Sequence, residues 1–330
     1  MPDPAPFTTL QQIGAGYAVS RSLHAVAELS IADALGDEPQ TATQLATATG
    51  TNPDALGRVL RLLAGHGVFA AEDGRFRHNA ASRLLRADHP QSMRAFARMF
   101  GLATNWRIFE ALEHSLRTGA PAAEKVLPAG FFARFAAHPE EGRIFNAAMV
   151  AKAQAQIPAI VASYDFARFS RIGDIGGGQG HLLQAVLASA PRATGVLFDL
   201  PQVVREVAGM ATERLRLQAG DFFKDELPSC DGYLVMEIIH DWPDEPAVSI
   251  LSAIRRAAPR EAKLLLIETL VPDDPGPDWS KTLDVFMLAL LGGRQRSLAE
   301  YEALLQAAGF AFEREIDTRG GISILEARPR

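Results

Sequence analysis

The sequence predicts an α/β fold: a mostly parallel seven-stranded sheet with an antiparallel last strand, preceded by a helical domain. From Arg171 onward, short apolar runs alternate with amphipathic stretches, which is the pattern of a parallel sheet covered by helices. Near the end of the chain, two strand-like runs flank Gly320 and Gly321, and strands joined by so short a turn must be antiparallel. The predicted strands are 172–175, 194–198, 215–219, 233–236, 264–267, 310–316 and 322–327, with helices at 181–190 and 245–258.

The first half of the sequence is typical of helices followed by a small hairpin. Thr41 is expected to cap a helix over 42–48, and Asn52 a second helix that begins at Pro53. A hairpin should follow, with strands at 68–70 and 75–77. Helix, turn, helix and hairpin in this order predict a winged helix, which could bind DNA or hold subunits together.

The charge pattern argues against a nucleic-acid partner. The formal net charge is -6, and the first hundred residues contain no lysine and nine arginines, balanced by nine acidic residues. Because duplex binding depends on basic side chains that displace counterions, we favour a structural use of the winged helix.

Cysteine usage and hydropathy indicate the compartment. Cys230 is the only cysteine, so neither an internal disulfide nor a cysteine-rich metal site is expected. The first 18 residues do not resemble a signal peptide. The apolar stretch at 285–291 is far shorter than the ~20 residues of a membrane span. We expect a cytoplasmic protein without a membrane partner.

A glycine-rich turn is the strongest chemical signal. Asp174-Ile-Gly-Gly-Gly-Gln-Gly180 follows a predicted strand and opens a predicted helix, where free backbone N–H groups can meet a ligand. A nicotinamide dinucleotide would prefer the spacing G-x-G-x-x-G, but the third glycine position is His181. The turn therefore predicts a nucleotide-like ligand without fixing its identity.

Polar residues also follow the next three strands. Asp199 lies about 20 residues beyond the glycines, where a carboxylate can bind two ribose hydroxyls. Asp221 and Phe222 come after the third strand and could bind and cover an adenine ring. His240 follows the fourth strand. Because ligands of such sheets gather at the carboxyl ends of the strands, these side chains are expected to share one site.

Taken in order, these motifs resemble those of the plant-type small-molecule O-methyltransferases, which include caffeate and acetylserotonin methyltransferases and bacterial antibiotic-tailoring enzymes. The resemblance covers nearly the whole chain. Its motifs are DIGGGQG at 174–180, FDLP at 198–201, GDFF at 220–223, HDWPDE at 240–245, IET at 267–269 and GGRQR at 292–296. It implies a homodimerisation domain at 1–100, connecting helices at 101–164 that contribute to the substrate pocket, and a Rossmann-like catalytic domain at 165–330.

The resemblance also implies a cofactor and roles for individual residues. The methyl donor would be S-adenosylmethionine, the product S-adenosylhomocysteine, and no metal would be needed. His240 would be the catalytic base, with Glu268 orienting it and Asp241 beside it. The cofactor-binding residues would be Asp174, Gly176, Gly178, Gly180, Asp199, Leu200, Gly220, Asp221, Phe222 and Met236. Candidates for the pocket of a small-molecule acceptor are Trp106, Phe145, Asn146, Met149, Asp284 and Met287.

Two positions depart from the family pattern. Many relatives carry a lysine where this chain has Met236, which would make the adenine edge more apolar. Many also carry a glutamate where this chain has Gln295, so a second carboxylate beside His240 is absent there. O-methylation of a small aromatic or secondary metabolite is the favoured reaction. S- or C-methylation stays open, and a nicotinamide-dependent dehydrogenase or a ligand-sensing regulator is the more remote alternative.

Overall fold

The computed structural model describes residues 5–330 apart from the side chains of Phe132 and Ala136, and it divides the chain into two compact units. The first unit comprises the residues up to Glu110 together with 132–152, and the second comprises 111–131 and 153–330. Residues 1–4, where the expected dimerisation domain begins, lie outside the described part. The expected three-part division of the chain stays a prediction.

The first unit is mainly helical. Its elements are α1 Pro6–Glu28, α2 Ile31–Leu35, β1 Gln40–Thr41, α3 Ala42–Thr49, α4 Pro53–Gly65, β2 Ala70–Glu72, β3 Arg75–Arg77, α5 Ala80–Arg83, α6 Arg94–Phe100 and α7 Ala103–Glu110. Both predicted caps are present: the Thr41 hydroxyl accepts a hydrogen bond from the backbone N–H of Gln44, and Asn52 accepts one from that of Ala55. These caps satisfy N–H groups that the first turn of a helix leaves unpaired.

The predicted hairpin is present, but it begins two residues later than expected. Phe69 has a φ of 70°, a left-handed conformation that a strand cannot contain, so β2 begins at Ala70. β1, which the sequence does not predict, pairs antiparallel with β3 and completes a three-stranded sheet. Two residues are too few to show the alternation that marks a strand in sequence.

The second unit holds the large sheet. Before the sheet come α8 Leu112–Thr118 and α9 Ala122–Val126, while α10 Phe131–Ala137 and α11 Pro139–Ser163 include residues of both units. The remaining elements are β4 Arg171–Ile175, α12 His181–Ser189, β5 Thr194–Asp199, α13 Pro201–Glu206, β6 Leu215–Ala219, β7 Gly232–Met236, α14 Asp244–Ala257, β8 Lys263–Glu268, α15 Trp279–Leu290, α16 Leu298–Ala307, β9 Phe310–Asp317 and β10 Ser323–Pro329.

The seven predicted strands form one sheet in the order β6-β5-β4-β7-β8-β10-β9. β4 to β8 pair in parallel, and β10 runs antiparallel to both of its neighbours. The prediction of a reversed last strand is therefore confirmed. The central strands are buried on both faces, which explains why they read as unbroken apolar runs in the sequence.

This topology determines where functional side chains can lie. Because β4 to β8 are parallel and in register, their carboxyl ends all reach one edge of the sheet. Asp199 ends β5 at this edge, and the loops that leave the edge contain the glycine turn, Asp221 and His240. Among residues 5–330, no helix is both long enough and apolar enough to cross a membrane.

Candidate active site

The glycine turn joins β4 to α12 and leaves one glycine facing open space. Gly176, Gly178 and Gly180 all have positive φ, a conformation that favours glycine. A Cβ atom at Gly176 would lie 2.7 Å from Ile238, and one at Gly180 would lie 2.8 Å from Met210. At Gly178 it would meet no atom within 4 Å. The turn is thus packed at its two ends and open at Gly178, where a ligand can approach the backbone.

Asp199 ties the end of β5 to the glycine turn. Its Oδ2 accepts a hydrogen bond from the backbone N–H of Gly178 at 2.8 Å, and its Oδ1 accepts one from that of Leu200 at 2.7 Å. Burial raises the pKa of Asp199, and these two bonds oppose that shift. The carboxylate is therefore held directly beside the open glycine. Leu200 contributes its N–H to this arrangement, and its side chain is exposed.

Asp174 is a fully buried carboxyl group beneath the same turn. A Cβ atom at Gly177 would lie 2.5 Å from its carboxyl group, so the turn can pass over Asp174 only because a glycine stands there. Burial and the neighbouring Asp199 raise the pKa of Asp174 to about 7. Within the described residues, its Oδ2 has no hydrogen-bond partner. A buried acceptor without a partner is costly, and a ligand or water that donates to it would relieve the cost.

These features fit S-adenosylmethionine, which carries two positive charges, a carboxylate and ribose hydroxyls. Two acidic side chains, Asp174 and Asp199, flank the turn, and Gly178 leaves room that a side chain would fill. The first turn of α12 adds free N–H groups. The residues present therefore match the predicted cofactor in charge and in space.

Asp221 and Phe222 follow β6, the strand next to β5. Asp199 pairs with Ala219 across these strands, which brings Asp221 to the same edge of the sheet. The Asp221 carboxylate accepts hydrogen bonds from the N–H of Phe223 and the ammonium of Lys224, and Lys224 lowers its pKa. The described contacts of Asp221 thus lie within its own turn.

Phe222, Gly220 and Met236 are three further residues predicted to bind the cofactor, and each has apolar neighbours. The ring of Phe222 meets the ring of Trp242 edge to face, at a centroid distance of 6.2 Å. Gly220 leaves space for Phe198, whose ring would lie 2.6 Å from a Cβ atom there. Met236 ends β7 and is half-buried against the core. These positions favour an apolar surface beside the predicted adenine site.

His240 lies in a short 3₁₀ turn, Ile239–Asp241, just after β7. It is buried, with 5% of its surface exposed. Its Nδ1 lies 2.7 Å from the amide nitrogen Nε2 of Gln295 and 3.3 Å from Glu268 Oε2. Its Nε2 lies 3.4 Å from Asp241 Oδ1. The structure thus brings all three predicted catalytic residues together and adds Gln295.

Glu268 ends β8 and is fully buried beside this turn. Its Oε1 accepts hydrogen bonds from the backbone N–H groups of Ile239 at 3.0 Å and of His240 at 3.3 Å. Burial raises its pKa well above the usual range, and the negative charges of Glu237 and Asp241 add to that rise. One oxygen of Glu268 therefore holds the backbone of the turn, while the other faces the imidazole.

Gln295 and Arg296 are functional candidates whose contacts the sequence does not reveal. Gln295 stands out in the sequence only as a replacement for glutamate, yet its amide nitrogen lies 2.7 Å from His240 Nδ1. Arg296 is fully buried and contacts the same turn. Both lie more than fifty residues from His240 in the chain, and nothing in the local pattern signals the contact.

The predicted pocket residues fall in both units. In the second unit, Asp284 lies within α15 and accepts a hydrogen bond from the Gln295 N–H at 2.8 Å, while Asp278 is the residue that caps the helix. Met287 is buried on the same helix. Asp284 therefore supports the loop that carries Gln295.

In the first unit, the Trp106 N–H donates to the carbonyl of Phe100 at 3.1 Å, and the Arg21 guanidinium lies 4.9 Å from the centre of its ring. Phe145 stacks on Phe135, whereas Asn146 is exposed and Met149 half-buried. A pocket lined by these residues stays a prediction. Across residues 5–330, no cluster of three His, Cys, Asp or Glu side chains is arranged to hold a metal ion.

Family models match both parts of the chain. The model of the O-methyltransferase domain matches residues 109–311. The chain belongs to the O-methyltransferase family. A second model, of the O-methyltransferase dimerisation domain, matches residues 11–88. The family predicted from the motifs is confirmed, and with it the assignment of the chain as a methyltransferase.

Similar proteins include enzymes of bacterial secondary metabolism. Phenazine O-methyltransferase PhzM of Lysobacter antibioticus is 40% identical over 97% of this chain and 95% of its own length. Its crystal structure matches with a TM-score of 0.86, over 99% of this chain and 100% of that one. An 8-amino-8-demethylriboflavin N,N-dimethyltransferase of Streptomyces davaonensis is 38% identical over 91% of this chain and 89% of its own.

A further structural relative holds the demethylated cofactor. CalO1, a methyltransferase in calicheamicin biosynthesis, was crystallised with S-adenosylhomocysteine; it is 33% identical, with a TM-score of 0.89 over 99% of this chain and 100% of that one. The predicted cofactor, S-adenosylmethionine, is confirmed for the family, and the predicted Rossmann-like α/β fold is confirmed as well.

Proposed function

We propose that this methyltransferase transfers the methyl group of S-adenosylmethionine to a hydroxyl group on a small aromatic acceptor, with His240 as general base. The observation that carries the proposal is the placement of His240, which is buried between Glu268 and Gln295 at the sheet edge that also carries the open glycine turn. When bound, S-adenosylmethionine supplies a methyl group on a sulfonium, which is already activated for transfer.

The chain has three tasks in this reaction: to bind both partners, to exclude water, and to accept a proton. Asp199 would hold the ribose hydroxyls, and Asp221 with Phe222 would hold the adenine. Asp174 would face the positively charged end of the cofactor. Positioning two reactants in this way can supply much of the rate enhancement.

His240 would take the proton of the acceptor hydroxyl at Nε2. A phenol has a pKa near ~10 and an imidazole one near ~6.5, so the transfer becomes favourable only as the oxygen forms its bond to carbon. Nε2 can accept a proton only when the ring proton sits on Nδ1, where Glu268 Oε2 at 3.3 Å can accept a hydrogen bond from it. Gln295 Nε2, which lies 2.7 Å from Nδ1, is a donor, so in this tautomer the amide must turn its oxygen toward Nδ1. The Asp241 carboxylate, which lies 3.4 Å from Nε2, would stabilise the imidazolium that forms, while Glu268 Oε2 would hold the ring through Nδ1.

N-methylation is the second candidate. The 38% identical relative is named as an N,N-dimethyltransferase of an amino-riboflavin, so relatives of this chain act on aryl nitrogen as well as oxygen. A neutral amine carries its own lone pair and needs no proton removed before attack. Dependence on His240 therefore distinguishes the two reactions.

Replacing Asp199 tests the cofactor site. Asp199→Asn should weaken the binding of S-adenosylhomocysteine by about 1.5–3 kcal/mol, roughly tenfold to a hundredfold, because hydrogen bonds to a charged group are lost. Isothermal titration calorimetry measures the change, and Asp273→Asn, at an exposed position, serves as the control. Equal affinities for the wild type and Asp199→Asn would remove Asp199 from the cofactor site.

We also propose that the chain works as a homodimer through α1. Four large apolar side chains of this helix are 65% to 76% exposed: Phe7, Leu10, Ile13 and Tyr17. An apolar stripe of this kind is typical of a surface that a second subunit covers. Light scattering should give about twice the 35.6 kDa chain mass.

The variant Ile13→Glu should shift that mass to 35.6 kDa, whereas Gln12→Glu, on the polar side of the same helix, should leave the dimer intact. A wild-type chain that stays monomeric at micromolar concentration would contradict the proposal.

The remaining partners and the compartment follow from charge and thiol chemistry. We place the protein in the cytoplasm, with a small-molecule acceptor and neither nucleic acid nor membrane as partner. The net charge of -6 disfavours a polyanion as partner. Cys230 is the only cysteine, so the chain has no internal disulfide to maintain, which suits a reducing environment. Burial raises the pKa of its thiol to about 11, which keeps the thiol protonated and unreactive.

A further inference from the structure

Arg296 is the largest fully buried side chain among the described residues, and no step of the reaction above uses it. A buried arginine is stable only when its charge and its N–H groups have partners. A guanidinium group has five N–H donors. Five hydrogen bonds leave the Arg296 guanidinium, so each donor can be satisfied.

The groups that accept hydrogen bonds from this guanidinium include residues on both sides of His240 in the sequence. Arg296 donates to the carbonyl of Ile239 at 3.2 Å and to that of Trp242 at 2.8 Å. It also forms a two-nitrogen contact with Asp244, at 3.0 Å and 2.7 Å. A single side chain therefore binds the residues before and after His240 and fixes the beginning of α14.

The neighbours of Arg296 complete this arrangement. The backbone N–H of Arg294 donates to the carbonyl of His240 at 2.9 Å. On the opposite side, Glu268 accepts the N–H groups of Ile239 and His240. The peptide groups of the turn are thus held from both sides, with their carbonyls bound by residues 294–296 and their N–H groups by Glu268.

We propose that Arg296 is a positioning residue for His240, and that Asp244 holds Arg296 in place. A histidine acts as a base only when its ring stands at the correct distance from the acceptor, and a small displacement can cost about 10²-fold in rate. The loop that supplies the Gln295 amide to Nδ1 is the same loop that clamps the turn. The position of the ring and its hydrogen-bond partner are therefore set together. This inference rests on the proposed role of His240 as base.

The test compares Arg296→Lys with Arg255→Lys. Lysine keeps the charge, but its single ammonium cannot reach two carbonyls and Asp244 together. Arg255 is a matched control, because it also binds two backbone carbonyls, those of Gly309 and Arg330, away from His240. The main readout is the nitrogen NMR signal of the His240 ring in the complex with S-adenosylhomocysteine, assigned by its loss in His240→Ala.

In Arg296→Lys, we expect the His240 signals to move toward the tautomer mixture of a free imidazole. The probe acceptor is 3-amino-4-hydroxybenzoate, an aromatic ring that carries one hydroxyl and one amino group. Its turnover should fall about 10²-fold, while the affinity for S-adenosylhomocysteine should stay within twofold of wild type. Arg255→Lys should change none of these. Unchanged His240 signals in Arg296→Lys would overturn the inference. It would also be overturned if cofactor affinity and thermal stability fell in parallel with turnover.

A second variant keeps the test decisive if Arg296→Lys does not fold. Asp244 is 60% exposed, so Asp244→Asn should fold normally while it weakens the hold on Arg296. We expect smaller shifts of the same His240 signals, and unchanged signals would overturn the inference. If His240 is not the base, the result is different: His240→Ala then has normal turnover, whatever the NMR spectra of the Arg296 variants show.

Discussion

His240→Ala is expected to lower turnover by ~10²–10⁴-fold, the usual effect of removing a positioned general base. Its Nδ1 lies within reach of Glu268 and Gln295, and the ring stands at the sheet edge that carries the cofactor turn. None of the residues proposed to bind the cofactor depends on the imidazole. The affinity for S-adenosylhomocysteine should therefore stay within about twofold.

The measurement is turnover against pH with a hydroxyarene acceptor, and His138→Ala, at an exposed histidine, is the control. Wild type should lose activity once the pH is low enough to protonate His240, because a protonated ring cannot accept a proton. Near-normal turnover in His240→Ala would show that proton removal is not its role. The acceptor atom would then be one that attacks without deprotonation, such as an amine.

Gly293→Ala is expected to lower turnover by about 10²-fold, because it forces the histidine turn away from the loop that holds it. A Cβ atom at this position would lie 2.1 Å from the carbonyl oxygen of His240 and 2.5 Å from the backbone carbon of Asp241. Both contacts are with backbone, so no side chain can move aside. The hydrogen bond between Arg294 and the His240 carbonyl would be lost in the shift.

Overpacking of this kind also costs about 1–3 kcal/mol of stability, which thermal unfolding should detect. Gly209→Ala is the control, because a Cβ atom there would meet no other atom within 4 Å. Wild-type turnover in Gly293→Ala would contradict the tight contact between the two loops.

The sequence predicts the large sheet and the edge that carries the candidate site, because the apolar pattern of a buried parallel strand is visible within a few consecutive residues. The stretches at 233–236 and 264–267, for example, are continuous apolar runs in the sequence, and they form most of β7 and β8 in the structure. Asp199, His240 and Glu268 can be grouped because each follows or ends a strand, and parallel strands end at one edge.

The sequence does not predict contacts made by loops distant in the chain. Gln295 reaches His240, and Arg296 binds the turn around it, only because the loop after α15 folds back onto the segments that follow β7 and β8. An arginine in an R-Q-R run looks like a solvated surface residue, and its complete burial depends on the carbonyls that surround it. The burial of Asp174 is likewise set by the packing of the turn above it.

The position of the transferred methyl group tests the central claim most directly. The acceptor 3-amino-4-hydroxybenzoate offers a hydroxyl and an amino group on one ring, and a 35% identical relative from Streptomyces cremeus is named for methylating its 4-oxygen. The enzyme would be incubated with this acceptor and S-adenosylmethionine carrying a ¹³C-labelled methyl group, and the product analysed by two-dimensional NMR. The account predicts a methyl group on the 4-oxygen, formed by wild type and lost in His240→Ala. A methyl group on the nitrogen or on a ring carbon, or one formed equally by His240→Ala, would contradict it.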